Sequence, residues 1–145
     1  MSGPPFRVVV VGIDGSRESE AALRFAAEEA KLRGALLRIV CGSEPSASGN
    51  LGAAFAPTPD EFVHAEHHAE EVLRGALQQL KGEPLEVEAV AEEGGPAAIL
   101  LEQAAGAELL VVGSRGLGTA KRLMLGSVSH DLAQHARCPV VIVRE

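Results

Sequence analysis

The sequence is poor in aromatic residues. Its 145 residues include no Trp, no Tyr and four Phe, so that aromatics make up 3% of the chain. The core must therefore be built from Ala, Val, Leu and Ile, and little aromatic surface is left for a flavin or a base to stack on. A flavin carrier would also need a hydroxyl-rich loop after its first strand. The sequence lacks both features, which argues against a flavin carrier.

Cysteine, positive charge and long apolar runs are also scarce. Two cysteines, Cys41 and Cys138, are too few and too far apart to indicate a metal site or a disulfide framework. A net charge of −7 argues against a general nucleic-acid binder, which carries a basic face. No apolar run approaches the roughly 20 residues that span a bilayer, and the N-terminus lacks the apolar region of a signal peptide. We therefore expect no membrane partner and a cytoplasmic location.

Apolar, β-branched runs predict five strands. The first, fourth and fifth runs are almost continuously hydrophobic, as in strands covered on both faces. The third run alternates with Glu86 and Glu88, which is typical of an edge strand. The five runs are RVVVVGI (7–13), ALLRIVC (35–41), LEVEAVA (85–91), ELLVVG (108–113) and PVVIVR (139–144).

Four helices are predicted between these strands, each from a recognisable start signal. The first runs from an N-cap at Ser16 to Gly34. The second opens with the capping-box arrangement of Thr58 and Glu61. The third begins at Pro96, and the fourth has Ser127 as its N-cap and continues to about residue 136.

The alternation of strands and helices predicts an open, parallel, doubly wound α/β sheet. With 46% hydrophobic residues and no internal repeat, residues 1–145 are expected to form one domain with a single core. Residues 42–57 are rich in Ser, Gly, Ala and Pro, and we expect them to form a mobile loop, either a lid over a ligand or disordered.

The stretch VVGSRGLGTAKRLMLGSVS (111–129) predicts an anion site at the end of the fourth strand. Gly113 and Gly116 would let the backbone turn with positive φ and let an anion approach. Gly126 and Ser127 follow at the start of the fourth helix, where free N–H groups and the helix dipole favour a phosphate. The spacing Gly-x-x-Gly-x9-Gly-Ser therefore predicts two converging sites for one polyphosphate. Arg115 would contact it, while Lys121 and Arg122 are either further contacts or solubilising charges.

Asp14 and a set of three histidines each allow a structural and a functional interpretation. Asp14 follows the first strand, and such a residue either caps a helix or lies beside a ligand. His64, His67 and His68 have helical spacing fit for a metal, but they lie among glutamates on what is predicted to be a solvated face.

Two stretches resemble the universal stress proteins over nearly the whole chain apart from residues 42–57. They are VVVVGIDGSRESEAALRFAAEEA at the N-terminus and GSRGLGTAKRLMLGSVSHDLAQHARCPVVIVRE at the C-terminus. The Gly-x-x-Gly-x9-Gly-Ser element resembles the ATP-binding branch of this family. The resemblance implies an adenine nucleotide alpha hydrolase-like fold with sheet order 3-2-1-4-5. In that order two strands separate Cys41 from Cys138, so at about 4.8 Å per strand we expect free thiols.

The resemblance also implies an ATP site, a function and a dimer. Asp14 would lie by the ribose and a phosphate-bound Mg²⁺, and the backbone at Cys41 would contact the adenine edge. The function implied is a nucleotide-dependent stress-response module with slow or no ATP hydrolysis. The alternative is a slow ATPase or phosphotransferase, although no P-loop lysine motif is present. The strand at 139–144 would pair with its symmetry mate in a homodimer. The implied site residues are Gly12, Ile13, Asp14, Cys41, Gly113, Arg115, Gly116, Gly126, Ser127, Val128 and Ser129.

Overall fold

Five strands alternate with four helices in a computed structural model that describes residues 7–45, 56–116 and 126–144. The strands are β1 (Val8–Gly12), β2 (Leu36–Ser43), β3 (Val87–Glu93), β4 (Leu109–Gly113) and β5 (Val140–Val143). The helices are α1 (Arg17–Arg33), α2 (Pro59–Gln79), α3 (Pro96–Gln103) and α4 (Ser127–His135).

The strands form one parallel sheet in the order β3-β2-β1-β4-β5, which confirms the predicted fold and strand order. Successive valines of β1 point to opposite faces. Val9 and Val11 pack in a core with α1 and α2, and Val8 and Val10 pack in a second core with α3 and α4. The continuous apolar run of β1 therefore reflects burial on both faces of the sheet.

Side-chain caps define α1 and α2 as the sequence predicts. Ser16 caps α1, because its side chain accepts a hydrogen bond from the N–H of Ser19, and Gly34 ends the helix in the left-handed conformation. Thr58 and Glu61 form a capping box at the start of α2. These local signals confirm both helix starts.

Several predicted boundaries were wrong by one or two residues. Strand β2 continues through Gly42 and Ser43, which pair with the end of β3, so the loop does not begin at residue 42. The strand β3 correspondingly ends at Glu93 rather than at residue 91. The N-cap of α4 is Gly126 and not Ser127, because the Gly126 carbonyl accepts the first helical hydrogen bond from the His130 N–H.

The structure also tests the predicted edge strands, the free thiols and the absence of a membrane-spanning helix. The edge positions predicted for β3 and β5 are confirmed. Cys41 is buried, Cys138 is half-buried, and both thiols are free. Within the described ranges, no helix has the length and apolar character needed to cross a bilayer. Most of the predicted loop (46–55), as well as Lys121 and Arg122, lies outside the described residues.

Candidate functional site

A cavity of about 340 Å³ opens where β1 and β4 lie side by side and their carboxyl ends meet. This is the position at which doubly wound sheets bind ligands, because the loops diverge to the two faces there. The volume lies within the range of small-molecule sites, about 300–1,000 Å³. The cavity is lined by Gly12, Ile13, Asp14, Ser19, Val40, Gly42, Pro96, Leu100, Val112, Gly113, Arg115, Gly116, Gly126, Ser127, Val128 and Ser129.

Of the residues that the sequence assigns to the site, Cys41 alone does not line the cavity. Its side chain is buried in the core formed with α1 and α2, on the other face of the sheet. Burial raises the pKa of the Cys41 thiol to about 11, and the nearby charge of Asp14 adds to the shift. Its neighbours Val40 and Gly42 line the cavity instead.

An apolar wall of the cavity was missed by the sequence analysis. Val40 and Val112, from β2 and β4, face the same core as Leu100 of α3 and Val128 of α4. Leu100 also packs against Gly12, where a Cβ atom would lie 2.6 Å from its Cδ1. The signal was the alternation of side chains along each strand, since every second residue of an apolar strand points to this face. The wall gives the cavity an apolar side.

Gly113, at the end of β4, and Gly116, just after it, do not act as predicted. Neither Gly113 nor Gly116 has positive φ, so the expectation of left-handed backbone at these positions was wrong. Their missing side chains serve close packing instead. A Cβ on Gly113 would lie 2.7 Å from the Cβ of Glu18 and 2.8 Å from its carbonyl carbon, and a Cβ on Gly116 would collide with the Asp14 carboxylate.

Asp14 lies at the cavity and shapes the turn before α1, but it does not cap the helix, whose N-cap is Ser16. One carboxylate oxygen, Oδ1, accepts a hydrogen bond of 2.9 Å from the N–H of Ser16 and so shapes the turn before α1. The other oxygen, Oδ2, faces Gly116 at the edge of the cavity. The carboxylate is therefore held beside Gly116 at the edge of the cavity.

Hydrogen bonds tie the start of α4 to the end of β4. The carbonyl of Ser114 accepts bonds from the Gly126 N–H at 2.7 Å and from the Ser129 hydroxyl at 3.1 Å. The same hydroxyl lies 3.1 Å from the Gly126 carbonyl. Because Ser129 is buried and donates to backbone, it positions the helix. Ser127, in contrast, is exposed on the cavity surface.

The N-terminus of α4 has no cap of its own. Gly126 supplies no side-chain hydrogen bond, and the first turn contains no acidic residue. The first N–H groups of a helix have no partner within it, and together with the helix dipole they attract an anion. Their position at the cavity makes the start of α4 a candidate phosphate site.

Arg115 supplies a positive charge at the same end of the cavity. Its Nη2 donates a 2.9 Å bond to the Oε2 of Glu18, which is the second residue of α1. The predicted site residue is therefore paired across the sheet with a residue that the sequence analysis did not single out.

The histidines of α2 lack a metal-ligand arrangement. Across residues 7–45, 56–116 and 126–144, no group of three or more His, Cys, Asp or Glu side chains is placed to hold a metal ion. The exposed positions of His64, His67 and His68 fit the solvated face that the sequence indicates.

Comparison with known proteins places the chain in a family. The model of the universal stress protein family matches residues 5–144. The chain belongs to the universal stress protein family. It is 33% identical over 149 residues to universal stress protein Rv2624c of Mycobacterium tuberculosis, covering 99% of the chain. The chain spans 52% of the length of that relative.

Solved structures of universal stress proteins share this fold. One, in complex with cAMP, is 32% identical to the chain and has a TM-score of 0.70. The match covers 97% of this chain and 98% of that structure's chain. Another, from Archaeoglobus fulgidus in complex with dAMP, is 25% identical with a TM-score of 0.67, covering 95% and 97%. The fold of the chain is thus one on which relatives bind adenine nucleotides.

Proposed function

We propose that this universal stress protein binds ATP and acts as a nucleotide-dependent regulatory module of the stress response. The observation that carries the proposal is the uncapped start of α4 facing the cavity beside Gly116. An anion placed there meets backbone N–H groups and the positive end of a helix dipole. The cAMP and dAMP complexes of related proteins support an adenine nucleotide as the ligand.

In this proposal the adenine packs against the apolar wall of Val40, Leu100 and Val112. A purine is flat and needs edge contacts to backbone polar groups, which the ends of β1 and β2 can provide around Gly12, Ile13 and Cys41. The phosphates extend from there toward Gly113, Gly116 and the first turn of α4. Arg115 and the Ser127 hydroxyl are the side chains that contact them.

Asp14 fits a role toward Mg²⁺ that enters with the nucleotide. Mg²⁺ prefers oxygen ligands and keeps several waters, so one carboxylate plus the phosphates is a typical set. The Asp14 carboxylate is held beside Gly116, where it would otherwise repel a phosphate. When bound, the ion would offset the repulsion between the Asp14 carboxylate and the phosphates.

Hydrolysis is expected to be slow or absent. Efficient phosphoryl transfer needs a lysine on the phosphates, a hydroxyl on the metal and a residue that positions the nucleophile. The sequence contains no Gly-x4-Gly-Lys-Ser/Thr motif. The proposed role is therefore carried by binding rather than by turnover.

The assembly that we propose is a homodimer formed through β5. This strand lies at the edge of the sheet, and Val140 to Val143 are all half-buried, apolar residues. An open apolar edge strand favours pairing with another strand. Pairing with β5 of a second copy would cover this edge of the sheet.

Replacing Gly116 by valine tests the nucleotide site. The added side chain collides with the Asp14 carboxylate and fills the turn, so we expect ATP–Mg²⁺ affinity to fall at least about 100-fold, roughly 2.7 kcal/mol. The affinity is measured by isothermal titration calorimetry on protein shown to be ligand-free by its absorbance ratio.

Gly75→Val is the matched control. Gly75 lies in α2, and an added Cβ there would meet no atom within 4 Å. We expect this variant to bind ATP like the wild type. Equal affinity in the Gly116 variant and the wild type would refute the proposed phosphate site, and a wild type that gives no heat with ATP–Mg²⁺ would refute the proposed function.

A further inference from the structure

Glu18 lies directly behind the phosphate end of the cavity, although it does not line the cavity itself. Its carboxylate accepts the 2.9 Å hydrogen bond from Arg115, which does line it. Only 12% of the Glu18 side chain and 25% of the Arg115 side chain are exposed. A charge pair this well shielded from water interacts more strongly than a surface pair.

The position of Glu18 is fixed from two sides. The end of β4 packs onto its backbone and Cβ at Gly113, where even one added methyl group would lie 2.7 Å away. Glu18 also occupies the first turn of α1, where the helix dipole stabilises a carboxylate. The backbone and Cβ of Glu18 are therefore held against β4, which keeps the start of this side chain within reach of Arg115.

This arrangement makes Glu18 a competitor of the ligand for one guanidinium. A phosphate that approaches Arg115 is attracted by the guanidinium and repelled by the carboxylate bonded to it. Both interactions grow with the number of negative charges on the ligand, whereas an uncharged nucleoside is indifferent to them. The carboxylate thus offsets part of the attraction that Arg115 offers to a longer phosphate chain.

We infer that Glu18 is a specificity-determining residue, which sets how strongly the site prefers nucleotides with more phosphates by holding and partly neutralising Arg115. The inference rests on the proposed function, because it assumes that adenine nucleotides occupy the cavity. It predicts that the natural site binds adenosine monophosphates and triphosphates with more similar affinities than Arg115 alone would give.

The variant Glu18→Gln tests this, since it removes the charge and keeps the size and a hydrogen-bond acceptor. Dissociation constants for adenosine, AMP and ATP–Mg²⁺ are measured by calorimetry at low and high salt. We expect ATP to bind about 10-fold tighter, AMP to gain less, and adenosine to change less than about 2-fold. The gain for ATP should shrink at high salt, because screening weakens both charges.

Glu29→Gln is the matched control. Glu29 is also a half-buried acid of α1 paired with an arginine, with 3.1 Å between its Oε1 and the Nε of Arg33, but it lies outside the cavity. We expect the Glu29→Gln variant to have the same ATP-to-adenosine affinity ratio as the wild type. Circular dichroism checks folding, and Glu18→Met, also neutral and of similar length, replaces the glutamine variant if that variant does not fold.

Two outcomes would overturn the inference: an unchanged ATP-to-adenosine ratio in the Glu18 variants, or weaker ATP binding. A merely structural role for Glu18 would lower stability and affect all ligands alike. The proposed function fails separately, if the wild type binds none of the three ligands.

Discussion

Helices α1 and α4 both begin at the edge of the cavity, after neighbouring strands, yet their first turns are arranged in opposite ways. In α1 the Ser16 side chain accepts a hydrogen bond from the Ser19 N–H, and the first turn carries Glu18 and Glu20. In α4 the N-cap is a glycine without a capping side chain, and the first turn contains no acid. One helix start is satisfied by its own residues, and the other presents its N–H groups to the cavity.

The difference predicts that the two helix starts differ in their attraction for a phosphate, although both lie at the strand switch point. The two dipoles are alike in kind, and β1 and β4 are hydrogen-bonded neighbours. The local side chains decide which dipole is available. Acidic residues in the first turn of α1 would repel a phosphate, while the small residues of α4 let it approach.

Making α4 resemble α1 is the sharpest way to break this comparison. Ser127→Asp adds a carboxylate at the first residue of α4, which stabilises the helix by about 0.3–1 kcal/mol and repels a phosphate. We expect ATP–Mg²⁺ affinity to fall about 100-fold, or roughly 2.7 kcal/mol, while the thermal midpoint stays level or rises. Calorimetry and thermal denaturation on the same sample measure the two effects.

Ser127→Asn controls for size, because it lacks the charge and should weaken ATP binding less than about 5-fold, or roughly 1 kcal/mol. Equal losses in both variants would mean that bulk rather than charge blocks the site. An aspartate variant that binds ATP normally would place the phosphates away from α4.

Gly113→Ala tests the packing of β4 against the capped helix. The added methyl group would meet the Cβ and the backbone of Glu18 at 2.7–2.8 Å, and overpacking of this kind costs about 1–3 kcal/mol. We expect the free energy of unfolding in urea to fall by that amount. Gly75→Ala, at an unobstructed helix position, should instead gain about 1 kcal/mol. Unchanged stability in the Gly113 variant would show that α1 does not pack rigidly on β4.

The elements that follow local rules could be predicted from the sequence. Continuous valines gave β1, a serine and a glycine gave the two ends of α1, and a capping box gave α2. The order of the strands came from resemblance to a family, since periodicity does not specify which strands pair. The end of β2 was predicted too early because Gly42 and Ser43 are typical of loops, whereas their pairing with β3 is a tertiary property.

The candidate site divides in the same way. The small residues around Gly116 and Gly126 carry a local signal, and the cavity does form there. The apolar wall was missed because Val40, Leu100 and Val112 look like any core residues. The pair of Glu18 and Arg115 joins residues 97 positions apart, so no window along the chain contains it. A glycine needed for packing, such as Gly113, cannot be told from one needed for an anion until its neighbours are known.

The smallest expected effect comes from opening the start of α1. Ser16→Ala removes the hydroxyl that caps the helix, and loss of an N-cap costs about 1 kcal/mol of stability. We expect urea denaturation to show this loss and calorimetry to show ATP–Mg²⁺ affinity within about 2-fold of the wild type, because phosphates bound at α4 do not need this cap. Thr58→Ala, which removes the exposed cap of α2, should cost a similar amount of stability with no change in affinity. If Ser16→Ala weakened ATP binding as much as Ser127→Asp, both helix starts would contact the nucleotide, and the contrast between them would be lost.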